Sequence, residues 1–158
     1  MKRILIEMEK LKNPNSGLGQ FCLNIGEQFQ LLNPKNLQLD FYLPAFQKNV
    51  FGEQFNYVKH TSIHKLIPLG SSDYDVWHCL QQDSPYLPTN KKTRLILTIH
   101  DLNFLQEKKK SKAGGYLKKL QKNVDRASAI TVISDYTKKL CWRILTLKIN
   151  PFTEFTMA

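Results

Sequence analysis

Two nearly unbroken runs of β-branched and leucine residues, RLILTI at 94–99 and AITVI at 129–133, constrain this chain more than any other feature. A strand that is apolar at successive positions must be covered on both faces, which is the situation of strands in a parallel sheet. The opening run RILIEM (3–8) is a third β-rich segment. Beyond a polar, turn-rich stretch, Leu18, Phe21, Cys22, Ile25, Phe29 and Leu32 recur at helical spacing, with Ser16 or Asn15 placed to cap the helix and Pro34 to end it. LQLDFYL (37–43) alternates and reads as a second strand. Strand, glycine turn, helix and strand make a βαβ unit.

The middle of the chain, 45–73, is harder to read, with 55–58 and 64–69 as candidate strands. DVWHCL (75–80) is a better one. A charged loop at 108–112 leads to a helix marked by Leu117, Leu120 and Val124, and a last helix starts at Asp135. Strands alternating with helices predict an α/β fold, a Rossmann-like parallel sheet flanked by helices.

With 42% hydrophobic and 11% aromatic residues among 158, the chain is too apolar to be disordered. No apolar run approaches the ~20 residues of a membrane span. Glu7 and Glu9 interrupt the apolar stretch that a signal peptide would need, so secretion by that route is not expected. Cys22, Cys79 and Cys141 show no CxxC spacing and read as reduced thiols, which suits a cytoplasmic protein. The net charge of +10 suits nucleic acid, phosphate-bearing small molecules or an anionic membrane surface, the last placing the protein at the inner membrane face. Nucleic acid ranks last, because no helix-turn-helix, RRM or KH signature accompanies the charge.

Ligands of open parallel sheets bind at the carboxyl ends of the strands. Those ends here lead to Ser16-Gly17-Leu18-Gly19, from His78 to Gln81-Gln82-Asp83-Ser84, to His100-Asp101 and to Ser134-Asp135. Gly17, Leu18 and Gly19 open a helix whose free amides suit a phosphate or sugar group, although two glycines can equally serve only to turn the chain. A full GxGxxG is absent, and Asp40, at about the right separation for a ribose-binding acid, sits in mid-strand, so NAD binding is weakly supported. His100 can hydrogen-bond a ligand or be a satisfied structural residue, and the apolar surroundings of His78 favour the structural role. His60 and His64 lack an HExxH acid, so no metal site is read. Ser134 lacks a nucleophile elbow and suits a helix cap. The lysine runs read as a solvated face.

Several segments, in order, resemble the N-terminal half of GT-B glycosyltransferases of family 4, the glycosyl transferases group 1 type. They are RILIEMEKLKNPNSGLGQFCLNIGEQF, YDVWHCLQQDSPYLP, LILTIHDLNFL and VDRASAITVISDYTKKL, spread from residue 3 to about 140. The resemblance implies a Rossmann-like acceptor-side domain over 1–140. A second such domain would hold the nucleotide-sugar, which is a co-substrate, with no further cofactor. The sugar would pass to a glycan or lipid-linked acceptor. Gly17 and Gly19 would belong to the glycine loop facing the cleft, and His100 and Asp101 to the HD-type segment lining the active site. Gly17, Leu18, Gly19, His78, Gln81 and Ser134 are the candidate acceptor- or phosphate-binding residues beside that pair.

The family's second domain carries an E-x7-E segment, and nothing after residue 140 corresponds to it. Without that domain the chain is expected to be inactive alone. The tail 141–158, CWRILTLKINPFTEFTMA, departs from the family pattern. Read from the third base of the Cys141 codon, its possible codons force Leu first and permit a continuation ending in Tyr-Asn-Gly, as the family has. A one-nucleotide frameshift before Cys141 accounts for this. On that reading Trp142, Ile144, Leu145, Phe152 and Phe155 are expected to form an exposed apolar patch. The alternative function is a freestanding α/β binding module for phosphate-bearing ligands.

Overall fold

The computed structural model describes residues 1–66 and 73–147, with the backbone alone at 110 and 111. Its strands are β1 (Lys2–Glu7), β2 (Leu37–Leu43), β3 (Asn56–Lys59), β4 (Val76–Cys79), β5 (Arg94–Ile99) and β6 (Ala129–Val132). They form one all-parallel sheet in the order β3-β2-β1-β4-β5-β6. The helices are α1 (Gly17–Leu32), the single turn α2 (Phe104–Glu107), α3 (Lys110–Arg126) and α4 (Asp135–Ile144). This is the α/β, Rossmann-like architecture expected from the sequence. The strand order reverses between β1 and β4, the position at which such sheets take ligands. The chain divides into two compact units, Met1–Leu80 with Pro85–Arg94, and Gln81–Ser84 with the chain from Leu95.

In the first unit β1 pairs with β2 from Lys2↔Leu37 to Glu7↔Tyr42 and with β4 from Ile4↔Val76 to Glu7↔Cys79. Strand alternation therefore puts Ile6, Leu39, Phe41 and Leu43 into the core cluster with Cys22 of α1, Phe51 and Leu80. Phe41 is its centre, with the Phe51 ring 5.0 Å away and Phe55 edge-on at 5.2 Å. Gly26 of α1 faces Phe51 so closely that a Cβ there would lie 2.1 Å from Cζ. Of the stripe read from the sequence, Cys22 is buried and Phe21, Ile25 and Phe29 are half-buried in this core, but Leu32 is 73% exposed. At 1.5 Å per residue α1 is roughly 24 Å long, against roughly 20 Å for a six-residue strand, so its last turn overhangs the sheet. Asn33, left-handed at φ 37°, closes the helix by donating its N–H to Phe29 O just before Pro34.

The other face of the same strands carries a carboxylate at its centre. Asp40 of β2 is 0% exposed. Its Oδ2 accepts from Arg3 Nη2 (2.6 Å), Arg3 Nε (3.0 Å) and Tyr74 Oη (2.9 Å), and its Oδ1 accepts from Asn56 Nδ2 (3.1 Å). Arg3 also lies over the Tyr74 ring at 4.6 Å. Asp40 raises the Arg3 pKa through that hydrogen bond, against the opposing effect of burial. These bonds give Asp40 a structural role and argue against the ribose-binding role considered above.

In the second unit β5 and β6 pair from Ile96↔Ala129 to Ile99↔Val132. The stretch 108–112, expected as a loop, already includes the start of α3 at Lys110. The buried stripe begins one turn earlier than Leu117, with Ala113, and continues through Leu120 and Val124. Residues 64–66 are not the start of a strand: Ser62–Lys65 form a 3-10 turn, and 67–69 lie outside the described residues. Past Cys141, Trp142 is 47% exposed as expected, but Leu145 is only 6% exposed and Ile144 half-buried. Gln121 holds this segment to α3, donating from Nε2 to Thr146 O (2.9 Å) and accepting Thr146 N–H at Oε1 (3.0 Å). Phe152 and Phe155 lie outside the described residues.

Removing the carboxylate in Asp40→Ala strands the Arg3 charge, Tyr74 Oη and Asn56 Nδ2 together. A loss of about 3 kcal/mol in urea unfolding is expected, the order found when one partner of a buried ion pair is deleted. A loss below about 1 kcal/mol would show that water satisfies those donors equally well.

Candidate functional site

The carboxyl end of β1 in the first unit runs into a tightly bonded turn. Met8 N–H donates to Tyr42 O (2.8 Å), Asn13 N–H to Lys10 O (3.1 Å) and Ser16 N–H to Asn13 O (3.1 Å). Ser16, rather than Asn15, caps α1: its Oγ accepts Gly19 N–H at 3.1 Å and donates to Asn13 O at 2.8 Å. Gln20 Nε2 adds a bond to Pro14 O at 2.8 Å. The two glycines then separate by role. A Cβ on Gly19 would fall 2.1 Å from Asn13 O and 2.7 Å from Pro14 Cα, so Gly19 is required by the loop itself. Gly17 is exposed and a Cβ there would meet nothing within 4 Å. Gly17 and the half-buried Leu18 lead the helix, where amides have no intrahelical acceptor. Those amides suit an anion.

Glu7 and Glu9 sit beside this loop, 1% and 5% exposed. Glu7 Oε1 accepts Glu9 N–H at 2.7 Å. Burial pushes the Glu9 carboxyl up, but its bond to Lys12 and its ion pair with Lys10 (3.4 Å) outweigh that, and it ends below its ordinary value. Next to them is a cluster of rings that the sequence did not reveal. Tyr42 Oη and His64 Nδ1 share a hydrogen bond at 2.9 Å, while the His60 ring stands 5.3 Å from Tyr42 and 4.8 Å from Tyr86. The His60 Nε2 and Thr61 Oγ1 atoms are buried without a hydrogen-bond partner among the described residues. Burial lowers the His60 pKa, which keeps the ring neutral at pH 7. His78, also in this unit, is half-buried and pairs with Ile6 in mid-sheet, and burial lowers its pKa to about 4.

In the second unit His100 follows β5 and is 9% exposed. Its backbone is held on both sides. His100 N–H donates to Gln82 Oε1 at 3.1 Å, Gln82 Nε2 donates to Asp101 O at 3.0 Å, and Thr137 Oγ1 donates to His100 O at 2.9 Å. Gln82 is itself fixed, its carbonyl accepting from Asn123 Nδ2 at 2.9 Å. Asp101 is exposed, and its Oδ1 accepts Asn103 N–H at 3.0 Å. Ser134 Oγ accepts Thr137 N–H at 3.1 Å and pairs with Thr137 Oγ1 at 3.0 Å, so it caps α4. Gln81 is 2% exposed, with Oε1 buried and lacking a hydrogen-bond partner among the described residues.

The described residues thus place Gly17, Leu18, Gly19 and His78 in the first unit and Gln81, His100, Asp101 and Ser134 in the second. Gln82 lies in the polar turn that the sequence pointed to, whereas Asn123, which holds Gln82, and Thr137, which holds His100, were not singled out in the sequence. Nothing in the local pattern of Asn123 or Thr137 announces a side chain that will bond a backbone carbonyl 41 or 37 residues away. Among the described residues no group of three or more His, Cys, Asp or Glu side chains could hold a metal ion, and no helix is long and apolar enough to cross a membrane.

Two substitutions separate backbone requirement from ligand contact at the glycine loop. Gly19→Ala should lower stability by about 1–3 kcal/mol, the range for forced overpacking, while Gly17→Ala should stay within about 1 kcal/mol of the parent. Equal thermal midpoints for the two variants would overturn this division. In the second unit, Gln82→Ala should speed hydrogen exchange of the His100 amide about tenfold, equivalent to about 1.4 kcal/mol of local protection. An unchanged exchange rate would mean that Gln82 does not hold that strand end.

Compared with known proteins, the sequence matches no family model and no curated protein.

Proposed function

We propose that this chain is the acceptor-side half of a GT-B glycosyltransferase, moving a sugar from a nucleotide-sugar to a glycan or lipid-linked acceptor. The observation that carries the reading is the His100-Asp101 segment. It lies at the carboxyl end of β5, with its backbone fixed by Gln82 and Thr137, and it matches the family's HD-type segment in type and order. A second support is the loop ahead of α1, bonded into shape by Ser16 and leading to the open Gly17.

In sugar transfer an acceptor hydroxyl attacks the anomeric carbon while the nucleoside diphosphate leaves with the bonding electron pair. This chain's residues contribute position and charge. The amides of Gly17 and Leu18, at the positive end of α1, suit the negative charge that develops on the leaving diphosphate. The His100 imidazole can hydrogen-bond a sugar hydroxyl, and the clamp on its backbone limits where the ring can go. The donor itself is assigned to a second domain carrying E-x7-E, as in the family that the chain resembles.

The encoding DNA tests this directly. Read through codon 141 and several hundred bases beyond codon 158, it should open in a shifted frame into a second α/β domain containing E-x7-E. Closed frames throughout would overturn the frameshift and leave this domain without its donor half. In the protein expressed from the restored frame, His100→Ala should reduce sugar transfer by about 100-fold or more with little change in thermal midpoint. Undiminished transfer would remove His100 from the site.

A further inference from the structure

The amino-terminal edge of the first unit, opposite the edge where parallel sheets take ligands, contains a cavity of about 280 Å³. Lys2, Tyr74, Asp75, Val76, Asn90, Lys92 and Arg94 line it. Three of these are cations and one is a carboxylate. The side-chain nitrogens of Lys2, Lys92 and Arg94 make no ion pair or hydrogen bond among the described residues. Asp75 is already engaged, with Oδ2 accepting Arg3 N–H at 2.8 Å. The lining therefore carries two net positive charges.

This wall is built firmly. Asp75 N–H donates to Arg3 O and Arg94 N–H to Asp75 O, both at 2.9 Å, which locks the starts of β1, β4 and β5 at the cavity. Asn90 Oδ1 accepts Lys92 N–H at 3.0 Å, and Asn90 O accepts Thr93 N–H at 3.2 Å, so residues 90–93 form a tight turn. Thr93, 1% exposed, pins that turn to the cavity floor through Oγ1 to Tyr74 O at 2.9 Å. Tyr74 is fixed in turn by its bond to the buried Asp40. The backbone on which Lys92 and Arg94 stand is thereby set before any ligand arrives.

We infer that this cavity binds a small phosphate-class dianion, free or as the phosphate group of a small ester. Two net positive charges match a dianion, and the planar fork of an arginine suits phosphate oxygens. At about 280 Å³ the space lies at the lower end of ligand-pocket sizes, which excludes a dinucleotide and suits one phosphate with a small polar body. Tyr74 and Val76 are the lining residues with apolar surface to offer that body. The site shares no residue with the glycine loop or the His100 segment, so it stands whether or not sugar transfer is the activity.

Calorimetric titration of the full chain with inorganic phosphate, glucose 6-phosphate and glucose tests the site. Saturable binding of at least one of the two phosphates is expected, with none for glucose. Tighter binding of glucose 6-phosphate would identify an ester as the ligand, and equal or tighter binding of inorganic phosphate would identify the free anion. Lys92→Ala combined with Arg94→Ala should weaken the phosphate by at least tenfold, and Lys2→Ala, at the start of β1, should weaken it independently. Lys118→Ala combined with Lys122→Ala, on the exposed side of α3, should leave it unchanged. Equal weakening by both double variants would reduce the binding to diffuse attraction by a +10 chain and overturn the proposal, as would the absence of saturable binding in the parent.

Discussion

One buried carboxylate ties together four separate stretches of the first unit. Asp40 on β2 receives Arg3 from β1, Asn56 from β3 and Tyr74 from the approach to β4. An ion taken out of water is expensive unless every lone pair finds a donor, so this arrangement holds only when all three neighbouring segments are in register together. It works opposite the apolar face, where Phe41 gathers Phe51, Phe55 and α1 without directional demands. The apolar face supplies the driving force for packing. The Asp40 face supplies its specificity, because an apolar contact survives a small slip and a four-way hydrogen-bonded charge does not.

The same division between packing and directional bonding recurs at the strand ends. Gln82 brackets the His100-Asp101 backbone and Gln121 brackets Thr146, each using both atoms of its amide as a neighbouring strand would. Ser16 and Ser134 close the entrances of α1 and α4. Such bonds satisfy backbone groups that would otherwise be left unpaired at the ends of elements. They also leave the loops preorganised, which is what any binding site built on those loops requires.

Strand and helix positions were largely legible because their signals are local. RLILTI, LQLDFYL and AITVI are short, apolar and β-rich, and Ser16 and Pro34 punctuate the first helix. Leu32 was misplaced because periodicity continues past the point where the sheet stops supporting the helix. Residues 64–66 were misread because the turn at Ser62–Lys65 carries His64 to Tyr42, a partner 22 residues away. Leu145 was expected to be exposed on the reading that the tail is foreign to the core, but its burial follows from where α4 ends against α3.

The sequence by itself determined the alternation of strands and helices, the Rossmann-like class and the two loops that carry Gly17–Gly19 and His100-Asp101. Those features depend on periodicity, caps and turn residues within a few positions of one another. Only the tertiary structure decided that Gly19 serves the loop while Gly17 stays open, that Asp40 binds strands rather than a ribose, and that Lys2, Lys92 and Arg94 share one cavity. The last two depend on groups brought together by strand order and register, and the first on how the turn at Asn13 and Pro14 folds back against the helix start, which residue type alone does not encode.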